Sequence, residues 1–258
     1  MRVYKINDNY LDKINQESSW FIGIMAADGN IKKNNRSFSI SQSGSSGQII
    51  IEYIKKILSY NGKTYIQYPK KGLETFGIVC TSPKLIDKLS EFNIIPNKSL
   101  IYKFPETIDQ VFFASFIRGY FEGDGCAGIY DNGKGSKYLQ ISFVGTFEFI
   151  KKCSEIIPIK GNIIEKSAKN CFEIRWYSKK ALTVADWLYK DDNLFIGKKY
   201  EIIQNAKKIK NKKEKPHLKN KAFEMLKLGM KPEQIAKKIG VAFQTIYKWK
   251  SKQNKERK

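Results

Sequence analysis

The chain has 258 residues, 41% of them hydrophobic, enough to bury one large core or two of medium size. Its 47 lysines and arginines stand against 25 acidic residues, a formal charge of +22 that calls for a polyanionic partner, with nucleic acid ahead of an anionic membrane surface. A single histidine, His217, and four cysteines without CxxC spacing (Cys80, Cys126, Cys153 and Cys171) exclude Cys/His zinc sites, Ser-His-Asp triads and a disulfide framework, so any hydrolysis must run on carboxylates, lysines and metal in a reducing, intracellular setting.

Residues 1–16 are polar with a short helix, and Ser18/Ser19 offer an N-cap for an apolar helix over Trp20–Gly29 (WFIGIMAADG). A turn at Asn34-Asn35 leads into alternation over Arg36–Gln42, with Phe38 and Ile40 inward and Ser37, Ser39 and Ser41 outward. Gly44–Gly47 reads as a loop and Gln48–Leu58 as a helix. Strands are expected over Lys63–Tyr68 and Glu74–Thr81 around a Pro69-Lys70-Lys71-Gly72 turn, and a helix from Pro83 to about Phe92. The same order then recurs from Val111. An apolar helix ends in Phe116–Gly125 (FIRGYFEGDG), Lys137–Phe143 alternates with Leu139, Ile141 and Phe143 inward, and Glu148–Ile156 is helical. Asn162–Ser167 and Cys171–Tyr177 are strands and Lys180–Leu188 a helix. Asp28 and Asp124 are 96 residues apart, and Thr81-Ser82 and Tyr177-Ser178 share that offset, which marks an internal duplication joined by residues 93–110.

Within the two apolar helices, Gly23 with Ala27 and Gly119 with Gly123 place small residues four apart on one face. Such a face admits another backbone, either in ordinary close packing or, more specifically, with each helix as the other's partner. Both stretches end in Asp-Gly, where the glycine suits a left-handed helix stop. Paired in this way, Asp28 and Asp124 meet at the negative ends of two helix dipoles, which is costly unless a divalent cation lies between them.

Lysine-rich residues 201–216 read as a helix running into a basic linker. Leu218–Leu228, Lys231–Ile239 and Ala242–Lys250 then read as helices separated by Gly229 and Gly240-Val241, with Ala236, Ile246 and Trp249 inward, in the pattern of a helix-turn-helix. From Ala206 onward 18 basic residues face 4 acidic ones, so the tail carries most of the charge. No apolar run approaches the length of a membrane span.

FIGIMAADG and IRGYFEGDG resemble the motif of the LAGLIDADG homing endonucleases, over residues from about 17 to 203. The resemblance implies an α+β fold of two pseudo-symmetric αββαββα copies whose strands form a DNA-binding saddle. It divides the body into a first copy over 1–105 and a second over 106–205, to which the tail's own pattern adds a basic linker over 206–216 and a small all-α helix-turn-helix module over 217–258. It implies that Asp28 and Asp124 bind divalent metal, with the carbonyls of Ala27 and Gly123 sharing the coordination. Gln42 would order active-site water, and Lys98 and Lys199 would be the basic residues of the active site, with Lys198 a rival to the latter. The sequence departs from the motif's earlier acidic position at Ala26 in the first copy, where the second has Glu122. It also departs at the counterpart of Gln42, Gly145, which implies unequal half-sites and a non-palindromic target.

The implied activity is site-specific cleavage of both strands of duplex DNA across the minor groove. The implied protein acts as a monomer with Mg2+ (Mn2+ or Ca2+ substituting for binding) and leaves 3′ overhangs. The alternative is a non-cleaving nucleic-acid binder on the same fold, such as an intron maturase or a regulator. A two-stranded ribbon fits the major groove, where each base pair shows its own donor and acceptor pattern. Ser37, Ser39, Ser41, Lys63, Tyr65 and Gln67 suit that face in the first copy, as do Tyr138, Gln140, Ser142, Glu173 and Arg175 in the second. Lys32, Lys33, Arg36, Lys70, Lys71, Lys134 and Lys137 are placed to touch DNA beside them, chiefly at phosphates, and Gln244, Thr245, Lys248 and Lys250 are the groove contacts of the tail.

Overall fold

The computed structural model describes residues 4–33, 36–133, 136–190, 197–209 and 216–255. The chain divides into two compact units, Met1–Lys208 and Ile209–Lys258.

The first unit opens with α1 (Gln16–Asp28), which starts earlier than a Ser18/Ser19 cap would allow. Asn15 Oδ1 accepts the Ser18 N–H at 2.9 Å and Ser18 Oγ accepts the Asn15 N–H at 2.8 Å, a capping box that draws both serines into a buried first turn. There follow β1 (Gly29–Ile31), β2 (Ser37–Ser43), α2 (Gly44–Ile57), β3 (Tyr65–Gln67), β4 (Thr75–Thr81) and α3 (Pro83–Ser90), with the four strands in the order β1-β2-β4-β3. The second half repeats this as α4 (Phe113–Asp124), β5 (Gly125–Asp131), β6 (Lys137–Gly145), α5 (Phe147–Ile156), β7 (Asn162–Glu165), β8 (Phe172–Tyr177) and α6 (Ser178–Leu188), with strand order β5-β6-β8-β7. A further helix, α7 (Lys198–Lys208), packs on α6, β5 and β6.

The registers show how closely the copies correspond. Gly29 faces Ile40 and Ile40 faces Ile78; in the second sheet Gly125 faces Phe143 and Phe143 faces Ile174. One alternation further, Gln42 faces Phe76 and Gly145 faces Phe172, so Gln42 and Gly145 occupy the same place. Phe38, Ile40, Phe76 and Ile78 are buried on one side of the first sheet, as Leu139, Ile141, Phe143 and Trp176 are in the second, which leaves the alternate residues on the side away from the helices.

Three local readings change. Gly44–Gly47 is the first turn of α2 rather than a loop: Gly44 takes φ +73° at the entry, and Gly47 lies so close to the Gln42 main chain that a Cβ would meet its carbonyl oxygen at 2.6 Å. The outer strands β3 and β7 are shorter than expected, and Lys63 falls before β3. The segment expected to link the copies belongs to the second core: Tyr102, Phe104 and Ile108 are buried, and Phe104 packs edge-on against Phe116 and stacks on Phe149.

The second unit comprises α8 (Pro216–Lys227), α9 (Pro232–Ile239) and α10 (Phe243–Lys255). Gly240 caps α9 in the left-handed conformation at φ 68°, and Ala222, Met225, Ile235, Ala236, Ile246 and Trp249 form the core. The linker expected over 206–216 begins inside α7, and its residues 210–215 lie outside the described residues. So small a core depends on each large member. Trp249→Ala is expected to cost this unit about 3–5 kcal/mol, enough to unfold it. A scan resolving two transitions should show the smaller one lost and the larger unchanged.

Candidate active site

The site is built where α1 and α4 pair. A Cβ on Gly23 would run into the Phe116 carbonyl oxygen, and one on Gly119 into that of Trp20. Each pair of contacts is the other's pseudo-symmetric image, so the two backbones touch with no side chain between them. At the ends of the helices the Asp28 carboxylate lies directly against Gly123, where a Cβ would also strike the Ala27 methyl. Asp28 and Asp124 are the last helical residues. The glycines after them are not left-handed, as a helix stop would have them: Gly29 has φ −70° and Gly125 φ −89°. They are required by space, because the chain turns straight from helix into strand and a Cβ on Gly29 would meet the Met25 carbonyl, and one on Gly125 that of Phe121.

Two carboxylates therefore share one half-buried place. Burial raises the Asp28 pKa to about 6, the Asp124 charge adds to the rise, and the Gln42 amide, Lys199 and Lys98 oppose it. Burial raises Asp124 as well, against Lys98, Tyr120 and Lys199. Without a cation the pair resists double ionisation. Gln42 stays on the helix side of β2, where its Nε2 donates to Asp28 Oδ2 at 2.5 Å.

The two lysines converge from opposite copies. Asn97 takes a left-handed φ of 60° that turns Lys98 inward, and Lys98 Nζ donates to the carbonyls of Gly29 at 2.7 Å and Ala27 at 3.4 Å. Lys199 Nζ donates to the carbonyls of Phe121 at 2.8 Å, Glu122 at 2.6 Å and Gly123 at 3.2 Å. Both ammonium groups thus sit on carbonyls at a helix C-terminus, as the dipole favours, and Lys199 rather than Lys198 is the counterpart of Lys98. Burial lowers both lysine pKa values, while the aspartates act the other way.

Beside the site, Gln42, Gly123, Lys199 and the first turn of α2 line a cavity of about 330 Å³. Glu122, at the cavity's edge, belongs to a buried cluster, where Tyr189 donates to Glu122 Oε1 and the Arg118 guanidinium lies 4.4 Å from the Tyr189 ring centroid. The corresponding residues of α1 are Ile22 and Ala26, so this cluster belongs to one copy only.

One member escaped the sequence reading. Tyr120 is buried and its ring is held against Phe149 at 4.2 Å and Phe143 at 6.0 Å. Its hydroxyl donates to the Val144 carbonyl at 3.0 Å. The available signal was a pair of features: a tyrosine on the buried face one turn before the aspartate, and a glycine where the other copy has Gln42.

Of the DNA-facing candidates, Ser37, Ser39, Ser41, Tyr65 and Gln67 lie on the open face of the first sheet, with the Tyr65 ring over Gly77 and Ser37 Oγ bonded to Thr81 Oγ1 at 3.1 Å. Lys32, Lys33, Arg36, Lys63, Lys70, Lys71 and Lys137 are exposed, and Lys134 lies outside the described residues. On the second sheet Tyr138 and Gln140 are half-buried beside Tyr130 and Tyr177. Ser142 and Glu173 are not free to read bases: both are buried, and Glu173 accepts from Arg175, Ser142 and Lys166. Burial pushes the Glu173 carboxyl up, but those hydrogen bonds outweigh it and hold its pKa at about 2. Arg175 is thereby fixed in a half-buried place, donating to Glu173 and to the Tyr177 hydroxyl. In the second unit Gln244, Lys248 and Lys250 are exposed on α10 and Thr245 is half-buried.

Among the described residues no helix is long and apolar enough to cross a membrane, and no group of three or more His, Cys, Asp or Glu side chains gathers in metal-binding range. No protein-family model and no curated protein matches the chain. In structure it is similar to the I-LtrWI LAGLIDADG homing endonuclease bound to target DNA, with a TM-score of 0.52 at 15% identity over 78% of this chain and 89% of that one. It is likewise similar to the meganuclease I-SmaMI bound to uncleaveable DNA, with a TM-score of 0.50 at 11% identity over 75% of this chain and 90% of that one. At these identities the likeness is one of fold: the chain has the two-copy α+β fold of the LAGLIDADG homing endonucleases.

Proposed function

We propose that the chain is a site-specific endonuclease that cuts both strands of duplex DNA with a divalent metal, acting as a monomer because a single chain supplies both carboxylates. The observation that carries this reading is the meeting of Asp28 and Asp124 between Lys98 and Lys199 at the foot of the helix pair. These donors fit a hard cation. Two carboxylates and the Ala27 and Gly123 carbonyls are all oxygen, and a cation would relieve the repulsion that raises both aspartates. Magnesium, when bound, would polarise the scissile phosphate and make a coordinated water more acidic. Mn2+, or Ca2+ for binding alone, would suit the same oxygens.

The rest follows from the chain's own groups. Gln42 holds Asp28 by one amide hydrogen and has a second free to orient the attacking water. Lys98 and Lys199, released from the helix-end carbonyls, would neutralise charge that builds on the phosphate in the transition state. Serine hydroxyls, Tyr65, Gln67, Gln140, Tyr138 and Arg175 would read base edges in the major groove, and the exposed loop lysines would hold phosphates. The C-terminal helices, with Gln244, Thr245, Lys248 and Lys250 on α10, would add groove contacts to a long, non-palindromic site.

The test is selection from a randomised duplex library. Purified protein with magnesium should release ends that define one sequence, with recessed 5′ ends on both strands, and EDTA should stop cutting without stopping binding. Binding that never leads to cutting in magnesium would assign the chain to the non-cleaving readers of this fold. Lys98→Met and Lys199→Met are each expected to slow cutting about 10²-fold while changing target affinity little, as for loss of one transition-state donor. Gel shift beside a single-turnover time course separates the two effects.

A further inference from the structure

Along the open face of β8, Glu173, Arg175 and Tyr177 alternate with the buried Ile174 and Trp176 and bracket a single guanidinium. Arg175 donates from Nε to Glu173 Oε1 at 3.1 Å, from Nη2 to Glu173 Oε2, and from Nη1 to the Tyr177 hydroxyl at 3.4 Å. The carboxylate therefore takes the flank formed by Nε and Nη2, and the phenol lies by Nη1 on the other side of the fork. Glu173 is itself anchored. It is buried, ionised at neutral pH with a pKa of about 2, and paired with Lys166 Nζ at 3.1 Å. A guanidinium carries five N–H donors. Three are engaged among the described residues, which leaves one on each terminal nitrogen, the pair with which an arginine meets two acceptors at once.

The first copy has no such bracket. The offset that relates Phe76 to Phe172 puts Gly77, Val79 and Thr81 at the places of Glu173, Arg175 and Tyr177, and the Tyr65 ring lies over Gly77.

We propose that Arg175 is a specificity-determining residue that reads one guanine in the second half-site, through O6 and N7 on its major-groove edge, and that Glu173 is its positioning residue. The proposal rests on the reading of this sheet face as a DNA-contacting one and names the base it selects. Guanine presents two acceptors side by side in the major groove; adenine sets an amino donor beside its N7, thymine has a single acceptor and cytosine a donor. Two phosphate oxygens accept the same pair of hydrogens, but the place of Arg175 favours the base. It stands on an inner strand, opposite Ser142 of β6 on one side and Asn162 of β7 on the other, away from the loops that carry the exposed lysines. A fork held on both flanks before DNA arrives also loses less rotamer freedom on binding than a free lysine does.

The experiment is selection on binding, with the full chain and a randomised duplex library in EDTA, so that recognition is read without a cutting step. Wild type should recover sites with a guanine at one position of one half. Arg175→Lys, which keeps the charge and loses the fork, should no longer require that guanine and should keep the preference at every other position. On the recovered duplex, a deaza analogue of that guanine lacking N7 should weaken wild-type binding about tenfold and binding of the Arg175→Lys protein less than about twofold. Glu173→Gln, which replaces the charged acceptor by an amide, should relax the same position and no other. Each preference is a ratio between duplexes read with one protein sample, so any loss of folded protein cancels. An Arg175→Lys protein with the wild-type preference at every position would overturn the proposal. Uniform weakening of all duplexes by Arg175→Ala, with the guanine still preferred, would overturn it too and assign the fork to a phosphate. A wild type that recovers no common sequence would overturn the DNA reading of the face itself, and the proposal with it.

Discussion

Replacing either carboxylate by its amide, Asp28→Asn or Asp124→Asn, should end strand cleavage while raising the thermal stability of the metal-free protein. The loss of rate is expected to reach 10²–10³-fold or more, because in the proposed reaction the group removed would be both a ligand and part of the charge that organises the chemistry. Target binding should survive, since neither aspartate faces the open side of a sheet. The gain in stability follows from the sign of the pKa shift. Asp28 titrates at about 6 in the fold against an ordinary 3.8, so the fold favours its neutral form. That preference contributes stability fully below pH 4 and is lost as the pH rises through 6. Above pH 6 the ionised carboxylate is held at a cost on the order of 2–3 kcal/mol. An asparagine escapes that cost and can still accept the Gln42 amide. Asp28→Asn should therefore melt several degrees higher than wild type at pH 7, and the difference should vanish near pH 4. Millimolar magnesium should raise the wild-type melting temperature and leave the variant where it was. An Asp28→Asn protein that melts no higher at pH 7, or that still cuts, would remove the aspartate pair from the centre of the site.

Much of this arrangement is legible in the sequence, and what is legible has a common physical basis. Alternation over Ser37–Ser43 and Lys137–Gly145, and small residues four apart in both apolar helices, are periodic signals, and period reports which face meets the core. The offset that relates Asp28 to Asp124 also relates Phe76 to Phe172 and Ile78 to Ile174, so the duplication predicted the second sheet from the first. Features set by one contact rather than by a pattern were not legible. Gly29 and Gly125 are compatible with a left-handed stop, and only the closeness of the Met25 and Phe121 carbonyls shows that space is the reason for them. Ser142 and Glu173 alternate outward as readers would, yet Arg175, two residues along the same strand, and Lys166 engage Glu173, contacts that alternation alone does not show. Tyr120 reads as one more buried aromatic until Gly145 is placed beside its hydroxyl.

Gly23→Ala and Gly119→Ala should act in the opposite sense to the aspartate variants, lowering stability and activity together. Alanine is worth up to about 1 kcal/mol more than glycine in a helix interior, and at an open position either change would stabilise. Here the added methyl meets a main-chain carbonyl, that of Phe116 or of Trp20, and a carbonyl fixed in a buried helix cannot swing aside as a side chain can. The helices must separate instead. Overpacking of this kind costs about 3 kcal/mol, so each variant should be destabilised by about 2 kcal/mol net, and the double variant by more than either. Separation also moves the two carboxylates of the proposed site, because both sit at the ends of these helices and Asp28 rests on Gly123. The fraction that remains folded is therefore expected to cut more slowly as well as to melt lower, and to bind magnesium less tightly. Calorimetry and single-turnover cutting on the same preparation test both halves of the expectation. A Gly119→Ala protein that melts with wild type and cuts at its rate would mean that the helix pair can open without consequence. The shared site would then owe its geometry to the sheets rather than to the backbone contact between the helices.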